Sequence, residues 1–149
     1  MIGKGQSLPD DDHVMRYVSW AKLLRDEDDN VLGFLPQAFE LKPDEESLSV
    51  NWLEVFGGDH ESNKKQAVKA FRASSLTIGK KSGFGIANVR LIKEICKSSG
   101  ALVRIVYAPE PGNLAHSLIH KIPRNEFALL EALASEAFTE LLLNSAVSG

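Results

Sequence analysis

The fold is decided by a stretch in which apolar and polar side chains alternate, Ser47-Leu48-Ser49-Val50-Asn51-Trp52-Leu53-Glu54. Leu48, Val50 and Trp52 recur at every second position, which is the period of one face of a β-strand. Ser49 and Asn51 then share the opposite face. The pattern predicts a half-buried strand whose polar face either lines a cleft or meets water, and solvation is the usual outcome for such a face.

Further extended segments are predicted before this strand. His13–Val18 is rich in β-favouring residues, and 20–25 fits either a short helix or a continuing strand. Pro36 separates 31–35 from 38–41, which predicts two short extended pieces. The first half of the chain is therefore predicted to be strand-rich.

The longer helices are predicted after the strand over 48–53. One begins at Asp59 or Ser62 and ends near Ser75, and another follows a strand at 84–89 and ends near Gly100. Two extended segments, 102–107 and 114–122, flank a Pro-Gly-Asn turn and predict a hairpin. The apolar spacing from Pro123 to about Asn144 predicts one long C-terminal helix.

Length and composition indicate one compact α+β domain. The chain has 149 residues, of which 44% are hydrophobic and 25% charged, as is ordinary for a globular protein. Strands and helices do not alternate regularly, which favours segregated α+β architecture over a doubly wound sheet. We predict a single domain over 10–149 after a mobile leader over 1–9.

The cysteine and histidine content argues against several kinds of site. Cys96 is the only cysteine, and it lies on an apolar helix stripe, where a buried and inert thiol is expected. Among the four histidines only His116 and His120 have the i, i+4 spacing of a zinc site, but in a strand they would lie about 13 Å apart, so no metal and no cofactor is predicted. No stretch is long and apolar enough to cross a membrane, and a cytoplasmic protein is expected.

Positive charge is concentrated in the middle of the chain. The candidate basic patch consists of Lys64, Lys65, Lys69, Arg72, Lys80 and Lys81. On one face these residues would attract phosphate or an acidic protein surface, although solvated helix faces are the commoner outcome. Nucleic-acid binding is not favoured, because exposed aromatic residues are not interleaved with the lysines.

Scattered polar residues form the other candidate site. They are Arg16, Ser49, Asn51, Glu54, His116 and Ser117. If they converge, Arg16 would hold a phosphate while Ser49 and His116 orient the ligand or exchange protons. The competing interpretations are a salt bridge for Arg16 and a partly buried, hydrogen-bonded ring for His116.

Several segments of the chain resemble a group of small uncharacterised bacterial proteins. The resemblance is carried by Met15-Arg16-Tyr17-Val18, Ala38-Phe39-Glu40-Leu41-Lys42, Leu48-Ser49-Val50-Asn51-Trp52-Leu53-Glu54, Phe84-Gly85-Ile86-Ala87-Asn88-Val89 and Ala115-His116-Ser117-Leu118-Ile119. It implies a bacterial source and one domain, and it supplies no catalytic assignment. The C-terminal segment lies outside it.

Two functional hypotheses follow from the sequence. The leading one is a non-enzymatic protein-interaction or regulatory domain, of the immunity, antitoxin or defence accessory type, because no intact catalytic motif is found. A protein partner and a homodimer through the C-terminal helix are expected with it. The alternative is an enzyme that binds a nucleotide or another phosphate ligand through Arg16, Ser49, Asn51, Glu54 and His116.

Overall fold

The computed structural model describes residues 2–148, which contain eight strands. These are β1 (His13–Val18), β2 (Leu23–Arg25), β3 (Val31–Phe34), β4 (Ser47–Trp52), β5 (Gly83–Asn88), β6 (Arg104–Tyr107), β7 (His116–His120) and β8 (Glu140–Leu143). Six of them form an antiparallel sheet in the order β6-β7-β4-β1-β5-β8, and β2 pairs with β3 in a separate hairpin. The predicted α+β class is confirmed.

Three α-helices accompany the sheet, namely α1 (His60–Ala73), α2 (Val89–Ser98) and α3 (Phe127–Ala132). Asp59 caps α1 by accepting a hydrogen bond of 2.8 Å from the Ser62 N–H. Asn88 caps α2 through the Leu91 N–H, and Gly100 follows that helix with φ of 82°. Short 3₁₀ turns occupy Trp20–Lys22, Pro36–Phe39, Glu54–Phe56 and Asn144–Ala146.

Apolar cores lie on both faces of the sheet. Leu48, Val50 and Trp52 of β4 belong to the larger core, which also contains residues of α2 and α3. The smaller core on the other face joins Met15 of β1 to α1. Because α1 covers this second face, the polar side of β4 is not simply solvated, and Asn51 is fully buried.

Gly85 in β5 lets an aromatic cluster pack directly on the sheet. A Cβ atom at this position would lie 2.9 Å from Cζ of Phe34 and 3.3 Å from Phe138. Phe138 in turn stacks on Phe39, with ring centroids 4.5 Å apart. The absence of a side chain at Gly85 therefore lets Phe34 and Phe138 pack against the backbone of β5. Glycine is unfavourable in strands, so the same residue weakened the sequence-based prediction of β5.

The prediction of a long C-terminal helix is wrong. Helix α3 continues only as a π-helical turn, Leu133–Ala137, and the chain then enters β8. Strand β8 pairs with the otherwise open edge of β5, from Gly83↔Leu143 to Ile86↔Glu140. Because β5 is almost entirely buried, its edge N–H and C=O groups need a partner, and this requirement outweighs the helical spacing of the leucines.

Two other segments differ from expectation. The predicted extended piece over 38–41 is wrong at its start, since the chain forms a 3₁₀ turn from Pro36 to Phe39. In the predicted leader, Ser7 bridges to Val106 of β6 and Leu8 is only 3% exposed. The prediction of a mobile leader did not anticipate these contacts, which cover the edge of β6.

Candidate functional site

Strands β1 and β4 separate from one another at Arg16. Their pairing comprises Val14↔Trp52 and Met15↔Asn51, and Arg16 is the next residue along β1. The guanidinium of Arg16 donates from Nη1 to the Ser49 carbonyl at 2.9 Å and from Nε to the Ala38 carbonyl at 2.8 Å. The side chain thus takes one backbone acceptor of β4, the Ser49 carbonyl, and the sheet opens beside Ser49.

A groove with two adjoining pockets lies at this opening, and we name it the Ser49 groove. Ser49, Phe71 and Leu76 line both pockets. The arginine pocket, of about 260 Å³, is completed by Arg16, Tyr17, Ser19, Lys22, Ala38, Lys42 and Glu45. The histidine pocket, of about 250 Å³, is completed by Ala73, Ser74, Ser75, Glu110, Pro111, Asn113 and His116.

The charge of Arg16 has no counter-ion in the described part of the chain. The ion pairs within residues 2–148 do not include Arg16. Burial lowers the pKa of Arg16 to about 10, and the negative charge of Glu45 opposes that shift. The side chain is therefore still protonated near neutral pH, and Glu45, which lines the same pocket, acts on this charge without forming an ion pair with it.

One end of the guanidinium remains available to a ligand. The hydrogen bonds of Arg16 use Nε and Nη1. Nη2 makes no hydrogen bond within residues 2–148 and is not among the fully buried unpartnered atoms there, so it is in contact with solvent in a residue that lines the arginine pocket. It presents two N–H donors there.

The histidine pocket contains a Ser–His pair with a defined orientation. Nδ1 of His116 lies 2.7 Å from the Ala108 carbonyl, which can only accept, so Nδ1 carries a proton. Nε2 of the neutral ring is then an acceptor, and it lies 3.2 Å from the hydroxyl of Ser49. A carboxylate oxygen of Glu110 is 3.0 Å from the same nitrogen and would pair with the ring once it is protonated.

Three of the predicted site residues serve the fold instead. The amide of Asn51 donates to the Ala67 carbonyl at 3.1 Å and accepts from Asn113 at 2.8 Å, so it attaches α1 to the sheet. Ser117 is fully buried and donates to the Ala115 carbonyl. Glu54 accepts hydrogen bonds from the His13 backbone and ring at 2.7 and 2.6 Å. The structure therefore brings together only Arg16, Ser49 and His116.

The predicted basic patch is divided among different roles. Lys64 is buried and forms ion pairs with Glu61 and Glu140. Arg72 donates to Asn144 and to the Val147 carbonyl, which attaches the C-terminal segment to α1. The exposed members are Lys65, Lys69, Lys80 and Lys81.

Sequence reasoning missed the residues that complete the groove. Glu110 contacts the imidazole of His116, and Phe71 and Leu76 form walls shared by both pockets. Phe71 and Leu76 are far in sequence from Arg16, Ser49 and His116, and no short motif links these residues. An acidic residue in the β6–β7 turn, six positions before a histidine that begins β7, is the one local signal that favours a Glu110–His116 contact.

The described residues offer no alternative site of a more familiar kind. Among residues 2–148, no three His, Cys, Asp or Glu side chains are grouped so that they could hold a metal ion. Cys96 is buried, and its burial raises the pKa of the thiol to about 11, as expected of an inert core cysteine. In the same range no helix is long and apolar enough to cross a membrane.

Comparison of the chain with protein-family models, with curated proteins and with solved structures finds no match. The resemblance to uncharacterised bacterial proteins stays a prediction.

Proposed function

We propose that the protein binds a small anionic ligand, with a phosphate or carboxylate group held by Arg16 in the Ser49 groove. The observation that supports this proposal is the buried positive charge that contacts only neutral carbonyl groups. Burying an unpaired charge is costly, and a bound anion would compensate that cost. The free Nη2 of Arg16 gives the anion a directional contact.

The surroundings of Arg16 favour the same kind of ligand. Lys22 and Lys42 line the arginine pocket with Arg16, whereas Glu45 is the one acidic residue among its described lining residues. The excess of positive charge attracts anions before they make contact. Each pocket lies near the lower limit of typical ligand cavities, so a ligand with few atoms is expected.

A ligand-stabilisation experiment tests this proposal. Thermal unfolding is measured with inorganic phosphate, acetate and mononucleotides at one constant ionic strength, with chloride as the reference. We expect at least one of these anions to raise the Tm, by an amount corresponding to about 2.7 kcal/mol when the ligand is at 100 times its Kd. The R16Q variant is expected to show no rise in Tm with these anions.

The matched control is R104Q, because Arg104 is exposed on β6 and does not line the groove. R104Q should keep the full anion response. Equal responses of wild type and R16Q, or no response to any of the anions, would contradict the proposal.

Protein interaction is a second candidate, which keeps the leading hypothesis from the sequence. It is favoured by the β2–β3 hairpin, where Leu24 is 43% and Leu32 63% exposed. Two large apolar side chains on one small hairpin are more typical of a binding surface than isolated exposed leucines. The acidic turn over 26–29 adjoins them and would favour a partner with basic residues.

A pull-down from the native host with the double variant L24S/L32S tests the second candidate. A partner captured by wild type but lost in the double variant would support it. Capture that is indifferent to both leucines, together with monomeric behaviour in size-exclusion chromatography, would argue against it. The immunity, antitoxin and defence accessory types stay predictions, to be distinguished by the identity of the partner.

A further inference from the structure

Two Ser–His pairs occupy the same face of the β4–β7 ladder, and only one of them lies in the groove. Ser47 bonds to Nδ1 of His120 at 2.5 Å, and Ser49 bonds to Nε2 of His116 at 3.2 Å. The strands place Ser47 opposite His120, while Ser49 reaches diagonally to His116. Ser47 and His120 do not line either pocket of the groove.

We propose that Ser49 is a nucleophile activated by His116, and that the groove hydrolyses small carboxylic esters. This inference rests on the proposed function, because it assigns the anion on Arg16 as the carboxylate product. It names ester hydrolysis as the activity and acyl groups of few atoms as the substrate class. Three contacts support this assignment, namely Ala108 with His116, His116 with Ser49, and Glu110 with His116.

The base is oriented by the first contact. The Ala108 carbonyl holds the proton of His116 on Nδ1, which directs the lone pair of Nε2 towards the Ser49 hydroxyl. A base held in one tautomer by a third group and bonded to a hydroxyl is the arrangement that activates serine nucleophiles on unrelated folds. In this protein the third group is a backbone carbonyl rather than a carboxylate.

Charged side chains lie close to the atoms on which charge develops during the reaction. The Ser49 oxygen attacks the ester carbonyl carbon and its proton moves to Nε2, which makes an imidazolium beside Glu110, 3.0 Å away. The guanidinium of Arg16 is bonded to the Ser49 carbonyl and lines the arginine pocket together with Ser49, so an ester whose carbonyl oxygen enters that pocket develops its negative charge on the Arg16 side. Glu110 therefore matches the positive charge that the step creates on His116.

The remaining steps require water as the only further reactant. The tetrahedral intermediate expels the alcohol, which takes the proton from Nε2, and the acyl group stays on Ser49. Water then attacks the acyl carbon while His116 accepts a proton from it. Collapse of the second intermediate breaks the bond to the Ser49 oxygen, which regains the proton, and the carboxylic acid ionises to an anion beside Arg16.

Hydrolysis of p-nitrophenyl acetate, measured as release of p-nitrophenolate, tests the inference. We expect S49A and H116Q to reduce the enzyme-dependent rate about 100-fold or more, as is usual when a nucleophile or general base is removed. The matched controls are S47A and H120Q, which remove the second Ser–His pair and should keep the wild-type rate. E110Q should lower the rate only a fewfold, because Glu110 is exposed and acts through the imidazolium.

A second measurement does not depend on turnover. Wild-type protein is treated with a fluorophosphonate, and the modified peptide is identified by mass spectrometry. Labelling of Ser49 that is lost in H116Q and slowed by phosphate or acetate supports the inference. Circular dichroism and the Tm show whether S49A and H116Q are folded, and S49A removes only one hydroxyl group.

The outcomes separate this inference from the proposed function. An Arg16-dependent rise of the Tm with anions, combined with equal rates in wild type, S49A and S47A and no label on Ser49, would leave anion binding standing and overturn the nucleophile. Ser49-dependent hydrolysis without anion stabilisation would support the nucleophile and overturn the assignment of the anion site.

Discussion

Two cationic side chains are largely withdrawn from solvent in this protein, and only Lys64 forms ion pairs with carboxylates in residues 2–148. The Nζ atom of Lys64 lies 2.6 Å from Glu140 and 2.8 Å from Glu61. Burial alone would lower the pKa of Lys64, but these hydrogen bonds raise it above its ordinary value. Arg16 contacts only carbonyl groups, and burial lowers its pKa to about 10.

The difference distinguishes a structural charge from a binding charge. Lys64 has its counter-ions within the protein, so it gains nothing from an external anion and ties α1 to β8. Arg16 has a positive charge, a free donor and an open pocket, but no carboxylate bonded to it in residues 2–148. We infer that the two cations differ in function because the fold supplies carboxylate partners for Lys64 and only carbonyl partners for Arg16.

The largest effect on stability is expected at Lys64. K64M leaves Glu140 without its closest cation, and we expect the free energy of unfolding to fall by about 2 kcal/mol, since both carboxylates are partly solvated. Urea denaturation measures this change. K65M, at an exposed neighbouring position, should change stability by less than about 0.5 kcal/mol. Equal effects of the two variants would show that the ion pairs of Lys64 contribute nothing.

Replacing Arg16 should cost less stability than replacing Lys64. In buffer without a binding anion, R16M loses two hydrogen bonds to carbonyls but also removes a desolvated charge, so we expect a loss of about 1 kcal/mol. The same urea titration compares both variants. A larger loss in the free energy of unfolding for R16M than for K64M would contradict the distinction between the two cations.

The pH dependence of stability should reveal the ion pair at Glu140. Burial would raise the pKa of Glu140, but hydrogen bonds from Lys64 and His60 lower it below its ordinary value of 4.5. The interaction therefore stabilises the fold above that pH, and this contribution is lost as the pH falls through the lower folded-state value. E140Q should be less stable than wild type by about 1 kcal/mol near neutrality, and the difference should shrink in acid. A difference that stays constant with pH would contradict this account.

The smallest effect is expected at the edge of the arginine pocket. Lys42 lines that pocket and is exposed, so K42Q should weaken anion binding only about threefold and reduce its dependence on salt. Titration at two ionic strengths measures both quantities. A loss as large as that in R16Q would mean that the binding charge is shared rather than held by Arg16.

Local pattern was sufficient for most of the strands and helices. The alternation around Val50 predicted β4, and Asp59 followed by a polar turn of helix predicted the start of α1. The pattern was not sufficient where the helical spacing of apolar residues competes with hydrogen bonding to a neighbouring strand. Leu141 and Leu142 fit a helical stripe as well as they fit a strand, and the open edge of β5 determined which one forms.

The candidate site was predictable only in part, for a related reason. Arg16, Ser49 and His116 have side chains that can bind a ligand or transfer a proton, which is why the sequence indicates them. The same holds for Asn51 and Ser117, and the structure buries both. Residue type does not show which polar groups are consumed by internal hydrogen bonds, because those bonds join positions far apart in the chain, such as Asn51 and Asn113.

The sequence by itself determined the class of fold, the strand character of Ser47–Trp52 and the alternation that puts Ser49 and Asn51 on one face. These properties follow from the conformation of neighbouring residues, which local side-chain periodicity controls. Tertiary structure decided that Asn51 is sealed beneath α1 while Ser49 remains in a groove between Arg16 and His116. That outcome depends on where α1 ends and where β1 separates from β4, and both are set by long-range packing.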